Sequence, residues 1–366
     1  MSEYYNPVTI IKTENWKLDL TISMEKLDIS KPVIITSSGN RKRLSLDLIF
    51  DYDSIFSDVE TNPTFENCNN VLDFCRGKMF DGVVAIGGGS AMDLAKVVMA
   101  HLCLENTDIL ELIGYNEKYP KTIPSIFLPT THGTASEVTM WGTIWNMNEK
   151  KKYSISHPNL YPSIAILDGK LTLTLPLEIS ISTVMDALSH SFESIWNKNA
   201  NPKSTDFAIS SICSIIENSP ALKENPNDLD IRNKLLEAAT IAGLAFSNTA
   251  TAAAHSISYP LTIHYGIPHG VASSITLIPL LDMNKDLIKK PLDKICNIIN
   301  FSLEELKQSI INIPKNVIPY TLYEWGITNN KIDSLVKESF TKGRMDNNIR
   351  DLTISDVTKI LNLIIN

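Results

Sequence analysis

Two textures of apolar patterning divide the chain. Through residue 175, short β-branched runs bounded by glycine, proline or asparagine alternate with segments of helical period, the signature of buried strands joined through helices. KPVIIT at 31–36 is the first such run, and it empties into Ser37, Ser38, Gly39 and Asn40. DGVVAIG at 81–87, IPSIFL at 123–128 and YPSIAILD at 161–168 repeat the pattern. A turn-like Asn62-Pro63-Thr64 leads into a helix through Val71 to Arg76, and MWGTIW and KYSIS flank an asparagine-rich turn at 146–149 as a hairpin does. From Ser180 onward the helical period dominates, broken near 199–202, 225–227, 266–270 and 312–316. The expected organisation is an α/β domain over 1–175 followed by an all-α domain over 176–366.

Composition narrows the function classes. A chain of 366 residues has ample length for two cores. A net charge of −8 argues against extended nucleic-acid binding, which needs clustered Lys and Arg, but leaves room for a small anion at a local positive site. No apolar run approaches the roughly 18 residues of a membrane span, and the opening residues lack a basic stretch followed by an apolar one, so a cytoplasmic protein without membrane association is expected. The 5 cysteines are scattered with no CxxC, which favours reduced thiols.

The chemistry gathers at TVMDALSHSFE, residues 183–193. Asp186 and His190 stand one helical turn apart on one face, and a carboxylate beside an imidazole suits Fe²⁺ or Zn²⁺ better than Ca²⁺. Such a pair alone is as readily a capping or solvated pair. His255 and His269, in AAAHSISYPLTIHYGIPHG, supply a second cluster and turn the reading towards a metal. In the first domain, GGGS at 87–90 between a strand and a helix is a phosphate signal, because glycines let backbone N–H groups and a helix N-terminus approach a pyrophosphate. PTTHGTASEVT at 129–139 makes another donor-rich loop at a strand end. After the first strand, no acid follows and Arg41, Lys42 and Arg43 do, which reads either as a surface favouring NADP or as a solvated helix face.

GGGSxxD at 87–93, TTxGTxSExT at 130–139, the Asp186-x₃-His190 pair, and His255 with His269 in a PHG turn together resemble the iron-containing alcohol dehydrogenase family. The resemblance spans nearly the whole chain. It implies an N-terminal Rossmann-like nucleotide-binding α/β domain and an all-α C-terminal metal-binding domain, an architecture shared with dehydroquinate synthase. Asp186, His190, His255 and His269 are the implied ligands of Fe²⁺, or alternatively Zn²⁺. The expected cofactor set is Ser37, Asn62, Gly87, Gly88, Gly89, Ser90, Asp93, Thr130, Thr131, Thr134 and Lys152. Ser37 stands where many NAD-using relatives carry Asp, so with Arg41 nearby NADP is preferred over NAD.

Within the family, LSHSFESIWNKNANP at 188–202, AHSISYPL at 254–261 and GRMDNN at 343–348 resemble the branch that reduces phosphonoacetaldehyde to 2-hydroxyethylphosphonate. That implies a small aldehyde or alcohol substrate carrying an anionic group, with Lys198 and Arg344 as candidate anion-binding cations. Many relatives carry a histidine four residues after the third ligand; Tyr259 stands there and offers a phenol. His132 replaces a small residue in the cofactor loop and joins Tyr259 as a candidate catalytic group. A homodimer is expected. Generic short-chain alcohols are the alternative substrates. A dehydroquinate synthase-type lyase is the alternative chemistry, disfavoured by the Asp186–His190 pair.

Overall fold

The computed structural model describes residues 4–104, 108–115 and 117–366. Contacts divide the chain into two compact units, one comprising Pro7–Thr131 and Ala135–Thr172, the other Met1–Asn6, His132–Thr134 and Leu173–Asn366. The main break between these units falls at Thr172, and two outlying pieces join the helical unit. Tertiary contacts explain both: Tyr4 Oη donates to Leu244 O at 3.0 Å, and His132 N donates to Thr183 Oγ1 at 3.3 Å. No local periodicity carries such information.

The first unit holds strands β1 (Thr9–Lys12), β2 (Pro32–Thr36), β3 (Ile55–Phe56), β4 (Gly82–Gly87), β5 (Ser125–Pro129) and β8 (Ile164–Leu167) in one sheet. Their order is β1-β8-β5-β4-β2-β3 with every pairing parallel. β2, β4, β5 and β8 are buried along their full length, as apolar runs covered on both faces must be. Alternate residues serve opposite cores. Val33, Ile35, Val83, Ala85 and Phe127 meet helices α3 (Phe65–Cys75) and α4 (Gly89–Leu104), while Ile34, Val84, Ile86, Ile126 and Leu128 meet Trp16 and Leu20 of α1 (Trp16–Lys26). Short helices α2 (Ser38–Arg43) and α5 (Ile109–Gly114) complete the layer, and β6 (Trp141–Asn146) pairs antiparallel with β7 (Lys151–Ser156) as the expected hairpin. The edge strands β1 and β3 are too short and too exposed at β1 to read as buried runs.

The second unit is helical. α6 (Leu177–Ile195), α7 (Pro202–Glu224) and α8 (Leu229–Thr249) pack together, with α9 (Ala253–Tyr265), α10 (His269–Ser274), α11 (Leu277–Asn284), α12 (Lys289–Ile299), α13 (Leu303–Asn312), α14 (Ile332–Glu338) and α15 (Ile354–Leu363) around them. α6 is buried on nearly all sides, which its alternation of serine and alanine with large apolar residues permits. Close approach is real here: a Cβ on Gly270 would lie 2.1 Å from Ser182 O, so α10 can begin against α6 only with glycine at that position. Gly266, at φ +66°, ends α9 in the left-handed conformation and frees the chain to start α10 three residues later. Among the described residues, no helix is long and apolar enough to cross a membrane.

Lys96 of α4 is fully buried in the first unit, donating to Ser136 O (2.8 Å), Ser136 Oγ (2.7 Å), Thr139 Oγ1 (3.0 Å) and Trp141 O (2.7 Å). Burial lowers its ammonium to about 8, against the upward pull of Asp93 and Glu137. The unfolded chain therefore holds a proton between pH 8 and 10.5 that the folded chain has released, so this group makes stability rise with pH across that window. Replacing Lys96 by Met strands Asp93 and the acceptors around it; the expected loss is about 3–5 kcal/mol in chemical denaturation, with the rise in stability above pH 8 diminished.

Candidate metal centre and nucleotide cradle

On α6, Thr183, Asp186, His190 and Glu193 follow one another at spacings of three, four and three, so one buried face carries them all. α9 brings His255 and the first residue of α10 brings His269. One ligand atom from each of Asp186, His255 and His269 lies within 4.8 Å of the others. His255 Nε2 is 3.6 Å and His269 Nε2 3.7 Å from Asp186 Oδ1. His190 lies against this group with its ring stacked on His255, centroids 4.5 Å apart, and its other face on Phe246.

Glu193, buried beside them, orients His255. Its Oε2 meets His255 Nδ1 at 2.6 Å and its Oε1 accepts from His255 N at 3.1 Å. With Nδ1 committed to a carboxylate, Nε2 faces the cluster, where this buried nitrogen makes no hydrogen bond. Ser273 Oγ in turn donates to Asp186 Oδ1 at 2.8 Å. Burial pushes the Asp186 carboxyl up, but His190, His269 and His255 outweigh it and hold the group below the usual carboxylate range. Burial likewise lowers His255, yet Glu193 and Asp186 prevail and raise it to about 9. Two buried carboxylates thus demand positive charge at this point. A divalent cation fits the donor set, since a carboxylate oxygen and an imidazole nitrogen with a carboxylate behind it are ligands Fe²⁺ and Zn²⁺ accept. The pattern reading named neither Glu193 nor Ser273. Glu193 was within reach, because it ends the quoted motif seven residues after Asp186; Ser273 comes from the fold alone.

The nucleotide cradle belongs to the first unit. The C-terminal ends of β2, β4 and β5 stand side by side, Thr36 opposite Ile86 and Gly87 opposite Pro129, with Thr130 N donating to Gly87 O at 3.0 Å. A Cβ on Gly87 would fall 2.5 Å from Ala91 Cβ, and one on Gly88 would fall 3.0 Å from Thr131 Cγ2. The strand-to-helix turn therefore leaves its backbone bare where α4 begins, as a diphosphate cradle requires. Ser90 Oγ accepts from Asn62 N at 3.1 Å, which brings Asn62 to the same turn. Asp93 accepts from Ser136 Oγ at 2.9 Å and so braces the loop after β5. Lys152 lies on β7 over the Trp145 ring, and Ser37 caps α2 by accepting from Asn40 N. Thr134 falls in the short piece that groups with the helical unit.

The remaining candidates differ in character. His132 is fully buried; its ring nitrogens make no hydrogen bond, and burial, then Arg232, lowers it to about 3. Its imidazole is therefore held in the neutral form, able to give or take a hydrogen bond. Tyr259 follows His255 by one turn on α9 and is half-buried. Lys198 is committed, its ammonium meeting Asp346 O at 2.8 Å and Asp351 Oδ1 at 2.6 Å. It tethers residues 346–351 to the end of α6 and is not a cation held open for a substrate. Arg344 donates from Nη1 to Gly343 O, and the turn that follows it packs on α9, while Asn347 Nδ2 donates to Thr251 O just before that helix.

Comparison with known proteins gives a consistent picture. Residues 9–169 match the family described as iron-containing alcohol dehydrogenase, and residues 180–365 match the C-terminal part of the Fe-containing alcohol dehydrogenase family. Long-chain-alcohol dehydrogenase 1 of Geobacillus thermodenitrificans is 30% identical over 80% of this chain and 76% of its own length. NADPH-dependent butanol dehydrogenase of Clostridium saccharobutylicum is 28% identical over 92% of each. A crystal structure of sulfoacetaldehyde reductase from Bifidobacterium kashiwanohense in complex with NAD+ superposes with a TM-score of 0.91 at 29% identity, covering 100% of this chain and 98% of that one.

Glu193→Gln keeps the side chain's shape while removing the charge behind His255. Metal content after equilibrium dialysis against Fe²⁺ or Zn²⁺ should show affinity lowered by about 10- to 100-fold. Unchanged affinity would mean that the carboxylate serves packing only.

Proposed function

The chain belongs to the iron-containing alcohol dehydrogenase family, and from that premise we propose that it reduces an anionic two-carbon aldehyde to the primary alcohol. Phosphonoacetaldehyde is the favoured substrate, NADPH the favoured hydride donor, and Fe²⁺, or alternatively Zn²⁺, the ion held by Asp186, His190, His255 and His269. The observation that carries the reading is the convergence of Asp186, His255 and His269 within 4.8 Å, with Glu193 fixing the tautomer of His255. Support for an anionic aldehyde comes from the likeness of residues 188–202, 254–261 and 343–348 to the phosphonoacetaldehyde-reducing branch. A sulfoacetaldehyde reductase among the similar structures acts, by its name, on an aldehyde of the same size and charge class.

The bound cation supplies Lewis acidity towards the carbonyl oxygen, and the nicotinamide supplies the hydride. The protein's own residues do the rest. Glu193 keeps the proton of His255 on Nδ1. Tyr259, one turn beyond His255, supplies a proton from its Oη to the oxygen that gains charge as hydride reaches the carbonyl carbon. His132, uncharged and buried, gives the substrate or nicotinamide a hydrogen bond without competing for that proton. Arg344, on the turn that Lys198 tethers, meets the phosphonate through charge-assisted hydrogen bonds.

The deciding experiment is an anaerobic aldehyde panel with NADPH and Fe²⁺. Phosphonoacetaldehyde should give a higher kcat/KM than butanal or acetaldehyde; the reverse order sinks the substrate assignment. His269→Ala should lose bound metal and turnover together, and an active metal-free variant would refute the ligand set. Arg344→Ala should raise KM for phosphonoacetaldehyde by about tenfold or more, the scale of a charge-assisted hydrogen bond, and leave KM for an uncharged aldehyde nearly unchanged.

A further inference from the structure

Helix α8 ends at Thr249 and α9 begins at Ala253, yet residues 250–254 read ATAAA, a run rich in the strongest helix former with no glycine or proline to stop it. A continuous helix would bond Thr249 O to Ala253 N, Ala250 O to Ala254 N and Thr251 O to His255 N. Those three carbonyls are taken by asparagines instead. Asn199 Nδ2 donates to Thr249 O at 3.3 Å, Asn197 Nδ2 to Ala250 O at 3.1 Å and Asn347 Nδ2 to Thr251 O at 2.9 Å. Ala250 O also accepts from Thr249 Oγ1 at 2.9 Å, and His255 N goes to Glu193 Oε1 at 3.1 Å. Ala250 itself stands at φ +59° and ψ 178°, a conformation that glycine takes freely and other residues take only where their surroundings impose it.

The asparagines come from two segments that are themselves knitted together. Asn197 and Asn199 follow α6, and Asn347 lies in the turn after Arg344. The backbone of Asn197 bridges that of Asn348 in antiparallel fashion, Lys198 N donates to Asn347 O at 2.8 Å, and Ile349 N donates to Trp196 O at 2.8 Å. Asn348 in turn exchanges side-chain hydrogen bonds with Asn284 at the end of α11. The amides that reach the junction are thus fixed from behind. Their placement matters because His255 is the third residue of α9. Each residue by which α8 ran on would turn that ring by about 100°. We infer that Asn197, Asn199 and Asn347 are positioning residues that keep α8 from running into α9, hold Ala250 in its strained turn, and so aim His255 at Asp186 and His269. The inference rests on the metal reading of that cluster. It gives the asparagines of 188–202 and 343–348 a task separate from any contact with substrate.

Equilibrium dialysis of the full chain against Zn²⁺ tests the inference without turnover. Asn197→Ala should weaken binding by about tenfold, the scale for groups that orient a ligand from behind. Ala250→Gly alone should change affinity by less than about twofold, but added to Asn197→Ala it should restore most of the loss, because glycine holds the turn with no clamp. Asparagines that serve packing only give no such rescue. Unchanged affinity in Asn197→Ala, or a loss that Ala250→Gly leaves in place, would overturn the inference. Should Asn197→Ala fail to fold, Asn199→Ala takes its place with the same rescue expected, since its bond is longer and its side chain exposed. Strain is read separately in the metal-free chain: Ala250→Gly should raise the urea midpoint of unfolding, and a lowered midpoint overturns the strained turn. A wild-type chain that binds neither Zn²⁺ nor Fe²⁺ sinks the metal reading instead, while the urea midpoint still decides on the junction.

Discussion

Everything in the helical unit turns on burying a carboxylate that has no Lys or Arg partner among the described residues. Asp186 sits on a helix with almost no solvent-facing side, and its compensation comes from imidazoles delivered by three separate helices. Such a carboxylate is tolerable only while positive charge stays beside it, because an uncompensated buried charge costs several kcal/mol. The surrounding architecture follows from that need. Gly270 lets α10 start against Ser182, Gly266 turns the chain so that His269 opens that helix, and Ser273 binds the acid from the far side.

The α/β unit solves a different problem, that of presenting bare backbone to an anion. Fully buried parallel strands bring three loop-bearing ends into one row, and glycines at the end of β4 remove the side chains that would stand in the way. Lys96 pins the loop after β5 from beneath through neutral acceptors, so the donors of that loop are held by hydrogen bonding that leaves a cation buried. The two units therefore use different electrostatics: buried acids balanced by imidazoles in one, bare backbone amides at strand ends in the other.

How much of this was legible in the sequence depended on whether the signal was local. The strands β2, β4, β5 and β8 and the α6 motif stood out because burial on both faces and helical spacing leave a mark on consecutive residues. β1 and β3 left none, being short edge strands. Glu193 was visible in spacing and missed in meaning: a carboxylate that orients a ligand from another helix is recognised only when His255 is seen beside it. The basic run after Ser37 left two readings open in the sequence. Pattern showed like charges together, but the fold sends Arg43 to Leu171, leaves Lys42 in solvent and fixes Arg41 against an acid six residues on.

Lys198, Arg41 and Arg232 show why counting charges in a chain of net −8 says little about anion binding. Lys198 is neutralised in an exposed pair with Asp351 and its field is largely spent. Arg41 is paired with Asp47 and also donates to Ser57. Arg232 is fully buried, and among the described residues its hydrogen bonds go to neutral acceptors, Pro226 O, Ser180 Oγ and Leu175 O. Its field reaches His132, adding to burial in keeping the imidazole uncharged.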